Sequence, residues 1–139
     1  MWSIYAALFF TVALLVTTTY FILGGLPLLI LDHSTPVDGR FVRRFFEVYC
    51  TAALVAAVGA SISYAFSGFF AFTLGTAGIV LVISGFKKTI IPGMQRFADR
   101  IQDNDAKAIR AFRLTHAAAL LINLIQLVVL VWGVLKLPL

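Results

Sequence analysis

Charge is what this chain has least of. Between Trp2 and Leu31 there is no Asp, Glu, Lys, Arg or His, and from Val48 to Phe86 there is again none. From Leu114 to Leu135 the one such residue is His116. About 20 uncharged, mostly apolar residues are enough to cross a hydrocarbon core of roughly 30 Å. The chain therefore reads as an integral membrane protein whose main solvent is lipid. Cysteine is nearly missing as well: Cys50 stands alone, which excludes an internal disulfide. It lies just inside an apolar run and reads as a small packed side chain. No Asp or Glu sits deep in any apolar run, where a proton-coupled pump normally places an acid. No phosphate-binding glycine loop and no nucleophile–base–orienter arrangement is present, so no enzyme activity is assigned.

The 139 residues leave room for one membrane domain. Charged residues make up 12% of the chain, against ~25% for a typical soluble domain. The net charge of +5 does not point to nucleic acid, because the basic residues are confined to two short segments. The N-terminus has no basic stretch ahead of its apolar run, which is far longer than that of a signal peptide. It reads as the first span.

The runs divide into four spans, at about 2–24, 46–66, 69–86 and 113–135, giving an all-α polytopic bundle. Gly24, Gly25 and Pro27 predict a break that ends span one before Leu26–Leu31. Thr35 as cap, Pro36 as first helical residue and Asp38 beside the positive helix end predict an early start for the second helix. Ser67-Gly68 is the turn signal between spans two and three. All the Lys and Arg residues except Lys136 fall in the segments after spans one and three. By the positive-inside rule those segments are cytoplasmic and both termini are outside, with Trp2, Tyr5 and Trp132 at the outer interface. Between spans three and four, Pro92 opens a predicted short amphipathic helix. Its apolar face is Met94, Phe97, Ala98 and Ile101, and it rests on the inner membrane surface. Asp103-Asn104-Asp105 reads as the turn and cap of the last helix.

Lipid tails are as apolar as leucine, so close packing and interhelical hydrogen bonds must hold the spans together. Small residues supply the first: Ala52, Ala56, Gly59 and Ala60 in span two, Gly75 and Gly78 in span three. Replacing Gly59 by Leu should therefore cost more stability than replacing Asn123 by Leu. Polar residues of span four supply the second. At ~100° per residue, Arg113, His116, Asn123 and Gln126 share one face, with Asn123 about 15 Å deeper than Arg113. Expected partners are Ser61, Ser63, Tyr64, Thr73, Thr76 or the Thr17–Thr19 run.

Two other uses of these groups stay open. His116, with His33 as a second ligand, would suit a haem in a redox-associated subunit. A metal site finds only Asp32 beside His33. Alternatively, Asn123, Gln126 and the Ser and Thr hydroxyls would line a small-solute path in an oligomeric transporter.

Ile91-Pro92 closing span three, then Phe112-Arg113-Leu114-Thr115-His116 with Asn123 seven residues on, resembles the TMEM205-like (DUF4149) family of small four-span membrane proteins. Leu26-Pro27 leaving span one and Phe45-Phe46 with Tyr49 entering span two fit the same pattern. The histidine that the family carries early in span one has no counterpart here. The resemblance implies a four-span fold and a bacterial inner-membrane location more than a reaction. The function expected from the residues is that of a small structural or accessory membrane protein. It would act through helices, membrane lipids, a larger membrane complex or a homo-oligomer.

Overall fold

An apolar run in lipid has to satisfy every backbone N–H and C=O within itself, and a helix does so. The computed structural model describes residues 2–30, 36–101 and 105–137. Their elements are helical throughout: α1 Trp2–Ile30, α2 Pro36–Phe66, α3 Phe70–Gly85, a π-helical turn Phe86–Ile90, α4 Ile91–Ile101 and α5 Ala106–Leu135. Four of the helical stretches are long and apolar enough to cross a membrane: Trp2–Ile30, Gly39–Phe66, Phe70–Arg100 and Ala106–Leu135. The chain is an all-α polytopic membrane bundle, with no strand among the described residues.

Several boundaries follow from local chemistry. Pro36 opens α2, and Asp105 caps α5 by accepting a 2.9 Å hydrogen bond from the Lys107 N–H. Gly68 turns the chain between α2 and α3 at φ 79°, a conformation that glycine adopts without steric cost. Thr35 and Asp103-Asn104 lie outside the described residues, as do Asp32 and His33.

Two expectations are corrected. α1 does not break at Gly24-Gly25-Pro27 but continues through Pro27 to Ile30. The glycines serve close approach instead: a Cβ on Gly24 would stand 2.8 Å from Phe45 Cζ, and one on Gly25 would stand 2.5 Å from Leu120 Cδ2. The short amphipathic helix expected from Pro92 is present as α4, but it is continuous with α3 rather than separate from it. The π turn joins α3 to α4 without a gap, and α4 packs against α2 and α5. Met94 is fully buried and Phe97 half-buried, while Ala98 lies against Gly39 of α2.

Packing fixes which ends meet. Ala7, Ala60, Tyr64 and Leu137 form one cluster, so the start of α1, the α2–α3 turn and the chain's tail share one end. The contact of Gly39 with Ala98 gathers the start of α2, α4 and the start of α5 at the other. That second end holds every basic residue except Lys136. Around the bundle, α3 packs on α2, α2 on α1 and α1 on α5.

The small residues divide. Ala53, Ala56, Ala57 and Ala60 are buried, and Gly59 sits under the Phe10 ring. Ala52 is exposed. The buried stripe of α2 runs through Phe46, Tyr49, Ala53, Ala57, Ala60 and Tyr64 at three- and four-residue steps. A strict four-residue ridge drifts ~40° per step at ~100° per residue, so Ala52 has already rotated out. Gly75 and Gly78 are exposed too, and a Cβ on either meets nothing within 4 Å. They do not serve packing inside this bundle.

A Cβ on Gly59 would come 2.6 Å from Phe10 Cδ1. Gly59→Leu should therefore push α1 from α2 and cost about 1–3 kcal/mol or more, the range of overpacked cores. Gly78→Ala should be neutral or stabilising, since it removes a flexible helix residue at an open position. Thermal unfolding of the two variants in one detergent checks the ordering.

Candidate functional site

The buried polar residues of the span interiors come from four helices. α1 contributes Thr11 and Thr18, α2 Tyr49, Ser63 and Tyr64, α3 Thr76, and α5 His116, Asn123 and Gln126. In hydrocarbon each lone donor or acceptor costs several kcal/mol, so their pairing decides the arrangement.

Asn123 is fully buried and bonded on both sides. Its Oδ1 accepts from the Tyr49 hydroxyl, and its Nδ2 donates to the Ala119 carbonyl at 2.8 Å. Gln126 Nε2 donates to Thr18 Oγ1 over a long 3.4 Å, and its buried Oε1 has no hydrogen-bond partner among the described residues. Thus α5 is tied to α2 by Asn123 and to α1 by Gln126. Two further ties lie toward the end that holds the termini. Thr11 donates to the Ala7 carbonyl and lies 2.9 Å from the Tyr64 hydroxyl, joining α1 to α2. Ser61 donates to the Thr73 carbonyl at 3.1 Å and lies 3.0 Å from Thr76 Oγ1, joining α2 to α3.

Thr18, within the Thr17–Thr19 run, is the expected kind of partner. Ser61, Tyr64, Thr73 and Thr76 serve α1–α2 and α2–α3 contacts rather than Asn123. Tyr49 is the partner of Asn123 that the sequence reading missed. It opens an apolar run beside two phenylalanines, and nothing in the pattern of α2 separates it from them. Its position on the buried three-and-four stripe was the available signal.

An aromatic stack surrounds the seam. Phe21 lies on Tyr49 with ring centroids 4.0 Å apart and meets Phe46 edge-on at 4.8 Å. Phe46 in turn meets the His116 ring edge-on at 5.3 Å. His116 is fully buried, and its Nε2 would lie 3.7 Å from a Cβ on Gly25. Gly25 of α1 thus lies beside Nε2, and little room is left on that side for a haem. The surroundings of His116 do not fit a haem. His33 lies outside the described residues, and no group of three or more His, Cys, Asp or Glu side chains converges among the described ones. Arg113 departs from its expected face: it is exposed, while His116, Asn123 and Gln126 turn inward.

One opening reaches the seam's outer neighbours. α3 packs on α2 and α5 on α1, while α3 and α5 approach each other less closely, with Phe72 over Gly133. Between them lies a cleft of about 310 Å³. Thr11, Tyr64 and Thr76 line it together with Ala71 and Gly75 of α3 and Gly133 of α5. Apart from those hydroxyls and Lys136 its walls are apolar.

Asn123→Leu should lower stability by about 1–3 kcal/mol, because it leaves the Tyr49 hydroxyl buried without its acceptor. Gln126→Leu should cost less, since it gives up one long bond and one unpaired oxygen. The pair Tyr49→Phe/Asn123→Leu should cost less than the sum of its two single changes. A double-mutant cycle on thermal unfolding measures that coupling. Additive losses would mean that the two groups do not bond. No protein-family model, characterised protein or solved structure matches this chain.

Proposed function

We propose that this protein is a small non-catalytic accessory subunit of a membrane complex, and that a transmembrane helix of its partner seats in the α3–α5 cleft. The observation that carries this is the small residues facing that cleft from both walls, Ala71 and Gly75 opposite Gly133. Glycine and alanine in a span pay off when another backbone comes close. A lipid tail gains nothing from them. Gly75 has no such duty within the bundle, as it has open space where its side chain would be. The polar residues of α5, by contrast, are engaged inside the bundle by Tyr49 and Thr18. That favours a scaffold over a transport path lined by Asn123 and Gln126.

The proposed setting is a bacterial inner membrane, with the cation-rich end in the cytoplasm and both termini outside. The basic residues gathered at one end support that orientation. Trp2 and Trp132, both exposed toward the opposite end, suit an interfacial belt. Membership of the TMEM205-like family belongs to the same proposal. It rests on the Phe112–His116 segment, Tyr49 and Asn123, of which Phe112, His116, Tyr49 and Asn123 are buried in the bundle.

The test is capture from native membranes in mild detergent, comparing wild type with Gly75→Leu and with Gly78→Leu. All three should fold, because both glycines are exposed. A photo-crosslinking residue at Ala71 identifies what lies in the cleft. The expected result is a stoichiometric membrane protein that crosslinks at Ala71, is lost with Gly75→Leu and is kept with Gly78→Leu. Crosslinks to lipid alone, or a partner indifferent to Gly75→Leu, would contradict the proposal.

A further inference from the structure

At the cation-rich end, α5 leaves a second opening, on its flank toward α1. It is a groove of about 490 Å³ whose apolar wall is Leu29 of α1 with Ile109, Leu114 and Ala117 of α5, and whose rim carries Arg110 and Arg113. The two arginines are three residues apart, so they stand one above the other on the same helix face. Both are exposed. The ion pairs among the described residues both end on Glu47, with Arg43 at 3.0 Å and Arg44 at 3.7 Å. No described carboxylate therefore neutralises Arg110 or Arg113.

Depth decides what such a pair meets. No charged residue follows Arg113 until Lys136, about 34 Å farther along the helix at 1.5 Å per residue. That distance spans a hydrocarbon core, so Arg113 stands at the edge of the acyl region and Arg110 one turn farther into the headgroups. Phosphates of the leaflet lie at this level. Below them, the Leu29–Leu114–Ala117 wall continues into hydrocarbon.

We infer that this groove is a binding site for one anionic glycerophospholipid, its phosphate held by Arg110 and Arg113 and one acyl chain laid along Leu29, Leu114 and Ala117. Guanidinium matches a phosphate with paired N–H donors in a way that an ammonium does not. Two cations that no described carboxylate neutralises select a headgroup of net negative charge and disfavour a zwitterionic one, which brings its own cation to the rim. The apolar wall selects a lipid over a free phosphate ester. The site is separate from the α3–α5 cleft and stands whether or not a partner helix occupies that cleft.

The full chain, purified in mild detergent and given equal phosphatidylglycerol and phosphatidylcholine, tests this by native mass spectrometry. Purified protein contains no partner, so the outcome is independent of the accessory-subunit reading. The expected result is one phosphatidylglycerol retained in preference to phosphatidylcholine. Arg110→Gln with Arg113→Gln should weaken retention by about thirtyfold, from roughly a fivefold factor per cation at an anionic surface. Lys87→Gln with Lys88→Gln removes the same charge from the same end and should leave retention unchanged. Leu114→Trp blocks the groove with both arginines in place and should abolish retention; Leu114 is exposed, so the core is undisturbed. Equal retention of the two lipids would overturn the proposal. So would a loss with the lysine pair as large as with the arginine pair, or glycerol 3-phosphate binding as tightly as the lipid.

Discussion

In a bilayer, leucine gains nothing by leaving lipid for protein, so the bond between Tyr49 and Asn123 has an importance that it would lack in water. It joins α2 to α5 where no solvent can compete for either group. With Gln126 on Thr18 it sets the rotation of α5 against both α1 and α2. With α5 turned that way, His116 faces Phe46. Arg113 lies close to the same bearing but at the end of the bundle, where it is exposed.

Close approach completes what the bonds begin. Gly24 admits Phe45, Gly25 admits Leu120, and Gly59 admits the Phe10 ring. The aromatic stack of Phe21, Tyr49 and Phe46 fills the space thus opened between α1 and α2. These contacts all lie among α1, α2 and α5. α3 has fewer claims on the bundle, with Ser61 as its main polar tie, and it stands apart from α5. The same asymmetry that consolidates one side leaves a glycine-lined cleft on the other.

The spans, the Ser67-Gly68 turn, the Pro36 start and the Asp105 cap were legible because each depends on a local rule: lipid excludes charge, and backbone geometry selects residues at turns and ends. The face of α5 was legible for the same reason, since His116, Asn123 and Gln126 recur at helical spacing. What was not legible depends on partners far along the chain. Gly24 and Gly25 read as a break because local propensity sees only flexibility; that they seat Phe45 and Leu120 is a tertiary fact. Ala52 and Ala56 look alike in sequence and differ only in rotation about α2. Tyr49 finds Asn123 across 74 positions, and no local pattern encodes that distance. The cleft and the arginine groove are gaps between helices, which no single helix reveals.

The most direct measurement is solid-state NMR of the isotopically labelled protein in lipid bilayers, reading proximity between the Asn123 side-chain amide and the Tyr49 ring and the contact of that amide with water. A cross-peak between the two side chains, with no exchange of the Asn123 amide protons with water, is the predicted result. An Asn123 amide that exchanges freely and shows no correlation to Tyr49 would contradict a bundle closed by a dry polar seam.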